Sequence, residues 1–362
     1  MPLIVAEGQN SKTSPEPWLA VNLSMFFPGI GQLYAGEKFR GLSFLVSQLL
    51  LIAIAIWSIF SANGNTVTGV GCLFLIAVIY FLNLFDAYTC ARKLLSIQLS
   101  EKIPRINKDP WFAVFLSRIL PGLGQLYLDK VNVGALLLSL IIICSTLASL
   151  FSHLILFIPF ITAVACYHAF VVFPKPRKKK SHLITVIALF ILTFGLLGNY
   201  IPYWIGQKID VFEIPSKSML PTLQVGDRIL VDKASHYSPQ RGDMVVFRVP
   251  EAAKLLENKV GKHPTEFFIK RVIGEPAQTI RVTNGMVYIN DQPLQEPYLA
   301  EPPIYEWGPE KIPDDAYFVM GDNRNNSFDS HIWGFLQQSD IVGKAYKIYW
   351  PPGRIQSLLT SN

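Results

Sequence analysis

Ile214-Pro215-Ser216-Lys217-Ser218-Met219-Leu220-Pro221-Thr222-Leu223 lies just beyond an uncharged apolar run, and 52 residues after Ser218 comes Lys270, within Phe267-Phe268-Ile269-Lys270-Arg271-Val272. A serine hydroxyl is a weak nucleophile at neutral pH and needs a base held against it. Histidine often serves, and a lysine stripped of water can do the same. Lysine titrates near ~10.4 in water, so it becomes a base only where burial disfavours its charged form. The aromatic and β-branched content of 267–272 predicts a strand, with Phe268, Lys270 and Val272 on one face and Phe267, Ile269 and Arg271 on the other. Lys270 is therefore expected among apolar neighbours and Arg271 away from them. Burial statistics alone would make the pair an exposed basic step on an edge strand. The blocks around it decide otherwise.

Ser218 is followed by Val225-Gly226-Asp227 and the apolar Ile229-Leu230-Val231. Then come Arg241-Gly242-Asp243-Met244-Val245-Val246-Phe247, Ile269-Lys270-Arg271-Val272-Ile273-Gly274, and Gly321-Asp322-Asn323-Arg324-Asn325-Asn326-Ser327-Phe328-Asp329-Ser330. Taken together and in this order, the blocks resemble the bacterial type I signal peptidases, Ser/Lys endopeptidases that remove signal peptides from exported proteins. The resemblance covers about 211–343 and implies a mostly β fold. It also implies roles: Ser218 attacks the scissile carbonyl, Lys270 is the general base, and the Ser218 N–H with the Ser216 hydroxyl forms the oxyanion hole. Ser327 would hydrogen-bond the lysine and orient it, while Asp322, Asn323, Arg324 and Asp329 support the site. As turn formers, Asp322, Asn323 and Arg324 would suit such a Gly/Asn/Asp-rich loop in any case. Two positions depart from the family pattern: Asn325 replaces an acid and His331 replaces a basic residue. A salt bridge from Asp329 to arginine is thereby lost or replaced.

Asp329, His331 and some serine could in principle form a triad, a weaker reading than the Ser/Lys pair. His236 and His263 fall in Ser-, Pro-, Lys- and Gly-rich segments that read as solvated loops. His-x-x-x-His and Cys-x-x-Cys spacings are absent from this half, so no metal and no cofactor is expected. There is no Gly-rich phosphate loop either.

The chain has 362 residues, 51% hydrophobic and only 16% charged, too apolar for an ordinary soluble protein with so few charges. Uncharged runs at 41–60, 67–85, 133–151, 154–173 and 183–206 each approach the ~20 residues that cross a bilayer as a helix. The fold class expected is an α-helical membrane domain of about five transmembrane helices followed by a mostly β domain. Its divisions are a duplicated membrane module (1–182), an anchor (183–206) and a β-rich peptidase domain (207–362). Short β-branched or aromatic runs at 228–231, 244–249, 267–273, 279–282, 286–289 and 344–349 mark strands, and Asn284-Gly285 a tight hairpin. Prolines after Arg271 keep any inserted subdomain small.

The module repeats itself. Pro17-Trp18-Leu19-Ala20-Val21-Asn22-Leu23-Ser24 through Pro28-Gly29-Ile30-Gly31-Gln32-Leu33-Tyr34 recurs from Pro110 to Tyr127, with twelve of eighteen positions identical. Pro-Gly inside an apolar segment marks a kink, a re-entrant helix or a packing motif. All four cysteines, Cys72, Cys90, Cys144 and Cys166, precede the β-rich half, which therefore holds no disulfide. The first sixteen residues are polar, without the apolar core of a cleavable leader. The net charge of +6 is explained by loops facing anionic lipid, with no aromatic-basic pattern for nucleic acid.

The family resemblance implies secreted preproteins bearing signal peptides as substrates, with membrane lipid and the protein-export machinery as partners and no nucleic acid. Two alternatives stay open: a processing protease dedicated to one secretion or pilus system, and a membrane scaffold carrying an accessory protease domain. Short cytoplasmic loops are enriched in Lys and Arg. Lys175, Arg177, Lys178, Lys179 and Lys180 therefore place the start of the last apolar run in the cytoplasm, and the β domain on the extracytoplasmic (periplasmic) side of the cytoplasmic (inner) membrane. Arg92, Lys93, Lys102, Arg105 and Lys108 mark a second cytoplasmic loop. An even number of crossings between the two loops requires one apolar segment, 111–128, not to cross, and by symmetry 18–34 behaves likewise. Lys178→Cys, in a chain otherwise free of cysteine, is expected to react with impermeant thiol reagents only from the cytoplasmic side.

Overall fold

Every apolar run of the first half folds as helix in the computed structural model, which describes residues 15–98, 108–173, 181–233, 237–259 and 266–359. The basic cluster 175–180, Lys102, Arg105, His236 and His263 lie outside the described residues. The helices are α1 (Pro17–Ser24), α2 (Ile30–Tyr34), α3 (Lys38–Phe60), α4 (Thr66–Gln98), α5 (Pro110–Ile119), α6 (Leu123–Tyr127), α7 (Val131–Leu147), α8 (Phe157–Val171) and α9 (Ser181–Lys208). Among the described residues four helical segments are long and apolar enough to cross a membrane: Lys38–Phe60, Thr66–Lys93, Ser152–Val171 and His182–Lys208. The run expected at 133–151 is helical only to Leu147, giving 17 residues. Ser149 Oγ turns back to the Thr146 carbonyl (3.1 Å) there, and the chain passes into a short 3-10 turn, Ser152–Leu156.

The sequence repeat is a structural repeat, and its identical residues do identical work. α1 and α5 both begin with proline, which lacks the N–H that a helix start leaves unsatisfied. Each is followed by Pro-Gly at the start of the next short helix, where Gly29 (φ 98°) and Gly122 (φ 107°) take backbone angles that a side chain resists. Ser24 and Ser117 then meet Gln32 and Gln125, each pair at 3.3 Å. Each glutamine amide crosses to the last long helix of its copy: Gln32 to the Asn83 carbonyl (3.1 Å), Gln125 to the Ala165 carbonyl (2.8 Å). Tyr34 and Tyr127 accept from the backbone N–H just before α1 and α5, at Glu16 (3.2 Å) and Asp109 (3.0 Å). With 8 and 10 residues, α1 and α5 are far shorter than a membrane span.

Two compact units result. One comprises residues up to Ala53 together with Cys72–Tyr203, the other Ile54–Gly71 together with Trp204–Asn362. The second unit holds β1 (Ile209–Glu213), β2 (Arg228–Asp232), β3 (Met244–Arg248), α10 (Glu251–Lys259), β4 (Phe267–Gly274), β5 (Thr279–Thr283), β6 (Met286–Ile289), β7 (Gln292–Pro293), β8 (Trp307–Lys311), β9 (Ala316–Met320), α11 (Ser330–Trp333), β10 (Leu336–Gln337), β11 (Ile341–Trp350) and β12 (Gln356–Ser357). The main antiparallel sheet runs β1-β2-β11-β3-β4-β9-β10, with β12 beside β11, and the small insert is a second sheet, β7-β6-β5-β8. Asn284 (φ 50°) and Gly285 (φ 74°) make the expected hairpin between β5 and β6.

Both faces of the main sheet are covered. Met244 and Val246 join Ile214, Met219, Leu223 and Ile348 on one side, while Val245 and Phe247 join Val272, Val319 and Trp333 on the other. Two Gly-Asp turns lead into β2 and β3. Asp227 accepts from the Gln224 N–H (2.8 Å) and Asp243 from the Gln240 N–H (3.0 Å). Each buried carboxylate is met by a cation, Asp227 by Arg354 (2.7 Å) and Asp243 by Lys344 (2.6 Å). Lys347 on β11 is wholly buried, and its ammonium donates to the Ser58 and Ile59 carbonyls at the end of α3 (2.8 and 2.9 Å).

A Cβ on Gly31 would stand 2.1 Å from the Ala20 carbonyl oxygen and one on Gly124 2.0 Å from that of Ala113, whereas Gly71 in α4 meets nothing within 4 Å. Gly31→Ala and Gly124→Ala are therefore expected to destabilise the protein by about 1–3 kcal/mol through overpacking. Gly71→Ala should be neutral or stabilising by about 1 kcal/mol. Thermal melts in one detergent compare the three.

Candidate active site

Ser218 follows β1 in a turn held from both sides. The Ile214 N–H donates to the Asp227 carbonyl and the Gly226 N–H returns to Ile214, each at 2.9 Å. Met219 and Leu223, both fully buried, peg the segment into the core. The Asn323 N–H donates to the Ser218 carbonyl (3.0 Å) and the Asn323 side chain to that of Lys217 (3.1 Å). The Leu223 N–H donates to the Met219 carbonyl (2.9 Å), so the serine directly before this anchored turn has little freedom.

Lys270 lies on β4 opposite Val245 of β3 and is 4% exposed. Its Nζ donates to Ser218 Oγ at 2.8 Å and stands 5.3 Å from the centre of the Phe268 ring. Burial pushes the amine down to about 8, against the pull of the Asp329 and Asp322 carboxylates, which favour the ammonium. Ser216 Oγ lies 3.2 Å from Ser218 Oγ. The alternation expected for β4 therefore puts Lys270 in its apolar place. A cavity of about 110 Å³ opens beside the pair, walled by Phe212, Ile214, Ile229, Val246, Phe267 and Ile269.

Ser327 stands differently from expectation. It is buried, but its Oγ has no hydrogen-bond partner, so it does not orient Lys270 by a bond. The hydroxyl is turned against Gly321, where an added Cβ would lie 2.3 Å away. The amine donates to Ser218 and has Phe268 and the walls of β3 and β4 to hold it. A glycine at 321 is required because the Ser218 carbonyl is equally close, 2.4 Å from that hypothetical Cβ.

Arg271 points away from the Lys270 face, as the alternation expects, but it is buried there: 4% exposed, it grips Asp322 with two bonds, Nε to Oδ1 at 2.8 Å and Nη2 to Oδ2 at 2.6 Å. Thr222 Oγ1 donates to the same carboxylate (2.5 Å), and the Tyr298 ring lies 4.0 Å from the guanidinium. Both faces of the sheet are covered, so facing away from one core means facing another layer. Thr222 and Tyr298 had no signal of their own in the sequence.

Asp329 accepts from the Gly321 N–H (2.8 Å) and from His331, whose Nδ1 lies 2.7 Å from Oδ1. His331 thus takes the place of the missing arginine partner. Its ring stacks on Tyr305, with centroids 4.1 Å apart, which accounts for the histidine without a serine triad. Arg324 is fully buried, bonded to the Gly321 carbonyl (3.2 Å) and to both oxygens of Glu296 (2.8 and 2.5 Å). Glu296, 22 residues from the nearest of the recognised blocks, carries no signal in the sequence. Of the loop residues, Asn323 bonds the Ser218 carbonyl and Asp322 and Asp329 act on Lys270 by charge without a hydrogen bond to it, whereas Arg324 turns to Gly321 and Glu296.

Comparison with known proteins identifies the family. Residues 182–350 match the family described as "Signal peptidase, peptidase S26". A signal peptidase I of Leptolyngbya laminosa is 47% identical over 182 residues, covering 50% of this chain and 81% of the relative. A probable signal peptidase I-2 of Synechocystis is 48% identical over 151 residues, 41% of this chain and 66% of its own length. Signal peptidase I U of Bacillus subtilis is 35% identical over 191 residues, 49% of this chain and 94% of the relative. The chain therefore belongs to the signal peptidase family of serine endopeptidases, peptidase S26.

Proposed function

We propose that this chain cleaves signal peptides from exported preproteins with Ser218 as nucleophile and Lys270 as general base. The observation that carries the reading is a buried amine, 2.8 Å from a buried serine hydroxyl, whose ammonium form is weakened by desolvation. Neutral Lys270 takes the proton as Ser218 Oγ bonds to the scissile carbonyl carbon. The resulting oxyanion is met by the Ser216 hydroxyl and the Ser218 N–H. Collapse breaks the C–N bond, and the lysine returns its proton to the leaving amine. Water then attacks the acyl-enzyme ester and gives a proton to Lys270, which passes it to Ser218 Oγ as the acyl C–Oγ bond breaks and the acid leaves.

The cavity supports small side chains beside the scissile bond: 110 Å³ between Phe212, Phe267 and Ile229 admits a methyl group more readily than a large chain. The substrate would lie extended, exposing its carbonyl to Ser218. α9 ends at Lys208 and β1 begins at Ile209, so the peptidase domain is tied directly to an apolar helix. Five spans, a cytoplasmic N-terminus and an extracytoplasmic β domain on the cytoplasmic membrane complete the proposal, with preproteins, lipid and the export machinery as partners. The tether would hold the site where signal peptides emerge, raising its effective concentration.

Detergent-purified protein is expected to cut a model preprotein after an Ala-x-Ala site, with the new N-terminus read by mass spectrometry. Ser218→Ala and Lys270→Ala should be inactive, and a Ser218→Ala protein that still cuts would remove the serine from its role. Loss of one oxyanion donor in Ser216→Ala is expected to lower kcat about 10²–10³-fold. Activity should rise with pH as Lys270 deprotonates, with its acid limb near the value of about 8 set by burial. The Asp329 charge holds the ammonium up, so Asp329→Asn should lower the Lys270 pKa and move that limb to lower pH. A limb that moves upward, or stays, would contradict the electrostatics described.

A further inference from the structure

Between β7 and β8 the chain runs through an irregular segment, 295–305, that touches loop 321–331 at three separate places. Glu296, whose side chain is 4% exposed, gives both carboxylate oxygens to the fully buried Arg324 and accepts a further bond from the Tyr298 hydroxyl (2.7 Å). The Asn325 amide closes a two-way clasp, donating to the Pro302 carbonyl and accepting from the Ile304 N–H, both at 2.9 Å. The Tyr305 ring stacks flat on His331 at 4.1 Å with 13° between planes. Asn325 and His331 are the two positions where the chain departs from the family pattern. An acid at 325 could accept from Ile304 but could not donate to Pro302, so the clasp itself asks for an amide.

The far side of the same loop faces the reacting groups. Asn323 bonds the Ser218 and Lys217 carbonyls, Asp322 grips the arginine next to Lys270, and Asp329 is one of the two carboxylates whose charge acts on the Lys270 amine. A shift of the loop would therefore move the serine backbone and change the field at the lysine together. We propose that segment 295–305 is a strap that sets loop 321–331 against Ser218 and Lys270, and that Glu296, Asn325 and Tyr305 are positioning residues for peptide cleavage. The inference rests on the Ser/Lys reading above and adds to it residues that touch neither substrate nor the reacting atoms.

The Tyr305 hydroxyl is buried without a partner, so the ring alone makes the contact and Tyr305→Phe should behave as wild type. Glu296→Ala would strand a buried guanidinium and endanger folding, which makes Tyr305→Ala and Asn325→Ala the cleaner probes. Full-length wild type, Tyr305→Ala, Tyr305→Phe and Asn325→Ala are compared by kcat and KM on the Ala-x-Ala preprotein, by pH profile, and by amide hydrogen exchange of 321–331. The two alanine variants are expected to lose about tenfold or more in kcat with little change in KM, as a small misplacement of reacting groups does. Their acid limb should move to lower pH, because a displaced Asp329 no longer supports the ammonium, and the Asn323 amide should exchange faster. Wild-type kcat, acid limb and exchange in both alanine variants would overturn the strap, as would a Tyr305→Phe protein as impaired as Tyr305→Ala. A wild-type protein that cuts nothing would instead sink the Ser/Lys reading, and the exchange comparison would still decide whether the strap holds the loop.

Discussion

An amine kept out of water against a serine hydroxyl is the constraint around which the β domain is arranged. Desolvation lowers the affinity of Lys270 for its proton, yet a wholly apolar pocket offers nothing to hold the side chain in line. The structure meets both demands. Val245 and Phe268 supply apolar walls, and Ser218 supplies the single hydrogen bond. Two carboxylates close enough to favour the ammonium are each occupied elsewhere, Asp322 by Arg271 and Thr222, and Asp329 by the Gly321 N–H and His331. Their partners hold the acids in the loop and share the charge that would otherwise act on the amine alone.

The same device recurs across the domain. Asp227 and Asp243 are buried acids at Gly-Asp turns, each satisfied by a backbone N–H and a cation. A buried carboxylate with a full set of partners fixes a turn more rigidly than solvated turn residues could, but removing one partner leaves a charge uncompensated. Turns built this way suit a site whose nucleophile and base come from segments 52 residues apart.

The membrane half solves a different problem with the same economy of residue types. Its broken helices place Pro-Gly, Ser and Gln so that each short helix is bonded to the last long helix of its own copy. Where backbone leaves a helix in apolar surroundings, its polar groups need internal partners, and the Ser–Gln pair provides them. Duplication preserved this local chemistry while the residues around it changed, Met25 standing where the second copy has Arg118.

Much of the protein was legible in its sequence because the signals are local. Apolar runs declare helices, Asn284-Gly285 declares a hairpin, and the blocks around Ser218 and Lys270 are short enough to be recognised unaided. Strand alternation placed Lys270 correctly, since the face it predicts is apolar. It put Arg271 on the opposite face, but only the folded sheet covers that face and brings Asp322 to meet the guanidinium. Ser327 has the right address, yet its hydroxyl turns toward Gly321, a rotamer that no linear pattern encodes. Glu296, Asn325 and Tyr305 acquire meaning only when segment 295–305 folds back on loop 321–331. The sequence by itself determined which groups could do chemistry and where helices and turns begin, because those depend on residue type and near neighbours. Which charges are neutralised, and by whom, was decided by tertiary structure alone, because burial and partnership belong to residues that meet only in space.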